Sequence, residues 1–247
     1  MSESAEYLAS LASRIRESAP DLAVLADVAH GAAVDGIANH ARDRDIDLIV
    51  MATHGRGPFR RAWLGSVADG VIRTSDTPVL LLRPPAGERP SLGARPPFPH
   101  VLIPIDGSVA ARQVFADAVA LAGPDAAFTL LRSVGVGTET HAGSEPRNLG
   151  GGALVPDTDG VAASILATAE SELRALGVEH VDSIIVHGRR PAELIVEFSD
   201  MRVMDLIAMS TRGEGGIARL FLGSVADKVA RSASCPVLLH RGHGAPE

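Results

Sequence analysis

The segment THGRGPFRRAWLGSVADGVIRTSDTPVLLLR, starting at Thr53, returns as TRGEGGIARLFLGSVADKVARSASCPVLLHR from Thr211, and this repeat constrains the fold more than any other feature. Met51 and Met209, Gly55 and Gly213, Gly65 and Gly223, Asp69 and Asp227, and Pro78 and Pro236 all keep one offset of 158, with no gap between them. Upstream, DIDLIVM matches VMDLIAM, and the pair His30-Gly31 matches His187-Gly188 with one residue of slippage. A sequence duplicated in register specifies one structural unit built twice.

Within each unit, short apolar runs alternate with amphipathic segments, the pattern of β-α units that feed a parallel sheet. The second copy reads as a strand HVLIPID, a helix from Ser108 to Gly123 and a strand AFTLLRSV. A helix closed by Gly177 follows, then strand VDSIIVHG, helix RPAELIVEFSDM, strand DLIAMST, helix SVADKVARSA and strand PVLLH. Five strands and four helices, with helices needed on both faces of a parallel sheet, predict an α/β, doubly wound open sheet. Ser108 reads as an N-cap and the two glycines as helix stops. The first copy retains a helix SAEYLASLASRIRES, a strand DLAVLADVAHG and a helix AVDGIANHARDRD before its shared methionine.

Composition narrows the functions. A 46% hydrophobic, 21% charged chain of 247 residues can bury real cores. Its net charge of −7 disfavours a nucleic-acid partner, since phosphate contacts need a basic face. No run of about 18 apolar residues and no basic-then-apolar leader occurs, so no membrane partner and a cytoplasmic location are expected. One cysteine, Cys235, excludes an internal disulfide and cysteine-based zinc sites; in ASCPVLL it reads as a buried thiol at a strand edge. One lysine, Lys228, leaves no P-loop lysine. No Ser-His-Asp set or carboxylate pair can be nominated, and no metal ligands: His240 and His243 in HRGH read as a solvated tail.

The chemistry lies in the turn between DLIAM and GSVADKVAR. A helix start collects unpaired N–H groups and the positive end of the helix dipole, which together bind anions. Gly223 would let phosphate oxygens approach the backbone, Ser224 adds a hydroxyl, and Arg212 and Arg219 could supply charge. The other reading is that the glycines only shape a strand-to-helix turn and Ser224 only caps it.

These residues resemble the universal stress protein family, whose nucleotide-binding members carry G-x2-G-x9-G-[ST] and an aspartate at the end of the first strand. Here Gly213 and Gly223-Ser224 match, with Ser210 in the leading place; in the first copy Gly55 and Gly65-Ser66 match, with Ala52 leading. A leading residue with positive φ would pay about 1 kcal/mol for its Cβ; with negative φ, Ser210 is harmless or a further phosphate donor. The resemblance implies sheet order 3-2-1-4-5 in an adenine nucleotide alpha hydrolase-like fold, and ATP with Mg²⁺ as cofactors. It places Asp106 against the adenosine, Ile105 and Val134 around the adenine, Met209 and Ser210 beside the nucleotide, and Gly213, Gly223, Ser224, Val225 and Ala226 on the phosphates. It further implies pairing through the fifth strands, TPVLLLR and CPVLLHR, within the chain or in a homo-oligomer. Nucleotide-dependent regulation is the expected function, with at most weak ATP hydrolysis; a nucleotide-free interaction module is the alternative.

The copies are unequal. From Val101 to Met209 there are 108 residues, but only 50 precede Met51, so about 58 are lacking. The first strand, first helix and second strand have no counterpart, nor do Asp106 and Val134, leaving Ala52, Gly55, Gly65 and Ser66 as a phosphate half-site. The expected organisation is a partial copy at 1–84, a Pro-rich linker at 85–96 and a complete copy at 97–243. The partial copy is not expected to be stable alone. Either the chain starts late within a two-domain protein, or rearrangement or a partner chain replaces the strands.

Overall fold

A computed structural model describes residues 3–29, 31–52, 64–82, 98–135, 159–211 and 222–241. The second copy supplies strands β3 (His100–Pro104), β4 (Ala127–Val134), β5 (His180–His187), β6 (Leu206–Ser210) and β7 (Val237–His240), and the first supplies β1 (Ile49–Ala52) and β2 (Val79–Leu82). All seven form one sheet in the order β1-β2-β7-β6-β3-β4-β5. The five strands of the second copy are mutually parallel and reproduce order 3-2-1-4-5. Strand β1 runs parallel to β2, whereas β2 meets β7 antiparallel, so the fifth strands of the two copies pair within the chain.

Helices α1 (Glu3–Ser18), α2 (Ala33–Asp43) and α3 (Ser66–Thr74) belong to the first copy; α4 (Val109–Arg112), α5 (Phe115–Ala122), α6 (Asp159–Ala175), α7 (Pro191–Met201) and α8 (Ser224–Ser232) belong to the second. Alternation along β4 sends Phe128 and Leu130 into the core on one face of the sheet and Leu131 into the core on the other. With aromatics scarce, alanines at the contact faces let helices lie close to the sheet: Ala118, Ala162, Ala169 and Ala226 are all buried. Ser108 caps α4, its hydroxyl accepting from the Ala111 N–H at 3.0 Å, and Gly123 and Gly177 end α5 and α6 with φ of +87° and +91°. The single helix expected from Ser108 to Gly123 is instead two, interrupted at Gln113 and Val114.

The first copy departs from its sequence pattern in one element. DLAVLADVAHG, expected as a strand, joins no sheet among the described residues: residues 23–29 carry no strand, and Leu22 and Leu25 are 55% and 85% exposed. A strand needs a ladder partner, and no described strand lies beside this segment. The same gap leaves β1 paired only with β2 among the described residues. Val50 on β1 is 53% exposed, while its repeat equivalent Ala208 is fully buried beneath the second copy's helices. An open cleft of about 990 Å³, lined by Leu25, Ile37, His40, Ile46 and Leu48, lies beside this edge. The linker at 85–96 lies outside the described residues.

Candidate nucleotide site

In a parallel sheet the carboxyl ends of β3, β4 and β6 lie side by side, where loops and helix starts converge. Ile105 follows β3 and is buried, its N–H donating to the Leu131 carbonyl at 2.9 Å; Val134 ends β4 and is also buried. Two buried apolar side chains thus sit at the carboxyl ends of adjacent strands. Asp106 follows Ile105 and is exposed. Its Oδ1 accepts from the Ser108 N–H at 2.9 Å and from the Ser108 hydroxyl at 2.7 Å, an Asx turn that leaves Oδ2 without a described partner. Capping of α4 therefore falls to Ser108, and Asp106 holds the cap in place.

Opposite, β6 ends at Ser210. Among the described residues positive φ outside glycine occurs only at Asp45 and Val203, so the serine in the leading motif place carries no left-handed strain. Its hydroxyl donates to the carbonyl of Ala110 in α4. The next residue, Thr211, donates its N–H to the His240 carbonyl at 2.8 Å and accepts from the Gly223 N–H at 2.9 Å, stitching β6 to β7 and to the start of α8.

Gly223 has an ordinary φ of −58°, as Gly65 has −61° in the first copy. What excludes a side chain is space: a Cβ on Gly223 would stand 2.9 Å from the Thr211 carbonyl oxygen. The turn itself thus requires this glycine, whatever it also permits a phosphate to do. Helix α8 begins without a side-chain cap, so the amides of Ser224, Val225 and Ala226 keep their anion-binding capacity. Ser66 begins α3 in the same way after Gly65, and Ala52 ends β1. Gly55, Gly213, His54, Arg212 and Arg219 lie outside the described residues.

The geometry brings Ile105, Asp106, Val134, Met209, Ser210, Gly223 and Ser224 to one end of the sheet. Several residues there were not nominated from sequence. Arg132, buried on β4, donates from a guanidinium nitrogen to the Ile105 carbonyl at 3.3 Å. His240, expected in a solvated tail, instead ends β7, partly buried, with Nδ1 2.6 Å from Asp117 on α5. A tail was the wrong expectation because His240 still lies on β7, opposite Ser210 at the end of β6, and its carbonyl accepts from the Thr211 N–H. Among the described residues no three metal-ligating side chains cluster. None of their helices is long and apolar enough to cross a membrane.

The sequence pattern of the universal stress protein family matches residues 1–83 and 97–241, both copies at once. The chain belongs to that family. A universal stress protein of Thermus aquaticus is 48% identical over 65 residues, 26% of this chain and 47% of that protein. One from Mycobacterium tuberculosis is 28% identical over 225 residues, 88% of this chain and 65% of its own length. The chain thus spans less than two thirds of these curated relatives. The crystal structure of a universal stress protein from Archaeoglobus fulgidus superposes with a TM-score of 0.61 at 20% identity, covering 98% of this chain and 83% of that one, which establishes the shared fold.

Proposed function

We propose that this universal stress protein binds ATP in its second copy, as a nucleotide-dependent regulator of the stress response. The supporting observation is the convergence of an uncapped helix start, an exposed carboxylate with one oxygen unengaged among the described residues, and two buried apolar residues at the ends of adjacent parallel strands. These suit the three parts of a nucleotide. Ile105 and Val134 would flank the base, Asp106 would accept from ribose hydroxyls, and the amides of Ser224, Val225 and Ala226 with the Ser224 hydroxyl would meet the phosphates. Mg²⁺, where present, would neutralise phosphate charge and supply no protein-held step. Turnover of bound ATP would be slow, since positioning alone contributes and no general base is nominated.

The test uses the full chain. Bound small molecules are released by denaturation and identified, and ATP is titrated calorimetrically against wild type, Asp106→Ala and Ser224→Asp. The second variant places a carboxylate where phosphates would sit, yet it is favoured at a helix N-terminus, so it should keep its melting temperature and lose ATP. Saturable binding by wild type, weakened in Asp106→Ala and lost in Ser224→Asp, supports the reading. Absence of heat at millimolar ATP favours a nucleotide-free interaction module, a reading that the engaged Ser210 hydroxyl in the leading motif place also suits.

A further inference from the structure

We infer that Ser210 is a positioning residue: from β6 it holds α4, and through α4 it sets the pose of the Asp106 carboxylate at the adenosine end of the site. This rests on the nucleotide reading above. Where the motif carries glycine, this chain carries a side chain that is 8% exposed and whose hydroxyl donates to the Ala110 carbonyl, 100 residues away in sequence.

That carbonyl sits in a four-residue helix interrupted immediately afterwards, and it also accepts from the Gln113 N–H at 3.2 Å. One helical turn has little stability of its own, so its placement depends on ties from outside. Two are visible. The Ser108 hydroxyl accepts from the Ala111 N–H, and Ser108 in turn donates twice to Oδ1 of Asp106. Ser210 supplies the second tie, from β6. The hydrogen bonds therefore run from Asp106 through Ser108 and α4 to Ser210, and by way of Thr211 to Gly223 at the start of α8.

Because the Ser210 proton is already donated to Ala110, the hydroxyl turns only lone pairs toward any other neighbour and offers a phosphate no donor. Its effect belongs at the nucleoside end. The first copy has Ala52 at the equivalent position, a side chain with no hydroxyl to donate.

The experiment compares wild type, Ser210→Ala and Ser210→Thr in the full chain, with adenosine and ATP titrated separately and amide exchange of Ala111 followed without ligand. Ser210→Ala should weaken adenosine and ATP by the same factor, about fivefold for one neutral hydrogen bond, and speed exchange at Ala111. Threonine, which keeps the hydroxyl, should restore both. In an Asp106→Ala background the Ser210→Ala change should have no further effect on affinity. Loss of ATP affinity with adenosine unchanged would mean that Ser210 touches phosphate and would overturn the inference, as would Ala111 exchange that does not change. If wild type binds neither ligand, the nucleotide reading fails by itself, and Ala111 exchange alone decides whether Ser210 holds α4.

Discussion

At the scale of single residues, two positions follow from the repeat and its packing. Helix α7 ends in a Schellman motif: the Met204 N–H donates to the Ser199 carbonyl at 2.9 Å and that of Val203 to Asp200 at 3.4 Å, with Val203 at φ +51°. The first copy repeats this at α2, with Ile46 to Ala41, Asp45 to Arg42, and Asp45 at φ +48°. Aspartate tolerates the left-handed region, but a β-branched valine does not. Val203 is 75% exposed, so nothing packs to offset the strain. Val203→Asn should stabilise the protein by about 1 kcal/mol, read as a higher denaturation midpoint at unchanged m-value. A lower midpoint would show that no strain is stored there. Cys235 gives a second expectation: burial pushes its thiol from 9.0 up to about 11. Thiolate at pH 8 is then about a hundredfold scarcer than for a free thiol, partly offset by its greater nucleophilicity, for a net slowing of iodoacetamide alkylation of about tenfold. The unfolded chain loses this proton first, so the thiol's contribution to stability is full below pH 9 and falls as pH rises towards 11. An alkylation rate that levels off near pH 9 would contradict this.

At the scale of elements, the failures of sequence reading all fall where a neighbour decides the outcome. Each strand of the second copy was legible because its apolar run has a partner on the sheet. DLAVLADVAHG carries the same pattern and stays unpaired, since pattern alone supplies no ladder partner. The break between α4 and α5 was hidden for a related reason. No proline or glycine marks Gln113-Val114; the tie that accompanies it comes from Ser210, remote in sequence. Of the candidate site, the motif and strand ends were legible as a set. The close approach of Gly223 to Thr211 and the buried Arg132 were not, because both depend on distances between separate elements. The unpaired edge of β1 has a measurable consequence. An apolar edge residue 53% exposed, on a strand edge unpaired among the described residues, invites pairing with another chain. Val50→Lys should raise the concentration at which light scattering first detects self-association, with little change in melting temperature; unaltered association would place the contact elsewhere.

At the scale of the whole molecule, the two copies are joined by an interface that obeys its own symmetry. Val79 faces Leu239, Leu80 faces Leu238 and Leu81 faces Val237. Under the offset of 158, Leu80 and Leu238 are equivalent, so an approximate two-fold axis passes between them. Helices α3 and α8 repeat the relation in charge: Arg73 binds Asp69 at 2.8 Å, Arg231 binds Asp227 at 2.9 Å, and Arg231 reaches across to Asp69 at 3.3 Å. The side chains are about a quarter to a third exposed, so solvent screening limits the cross-copy pair to about 0.5 kcal/mol. Apolar packing carries more. One core cluster contains Val71, Ile72 and Val79 of the first copy together with Val229, Ala230 and Val237 of the second. The shared sheet and core are therefore expected to hold the first copy against the second, with the covalent connection contributing mainly effective concentration. A protease site introduced at Pro90 tests this. After complete cleavage, the two pieces should still co-elute from a sizing column at physiological salt, and the Asp69→Ala variant should shift their separation to a slightly lower denaturant concentration. Separate elution immediately on cleavage would mean that the connection, and not the shared sheet and core, keeps the copies together.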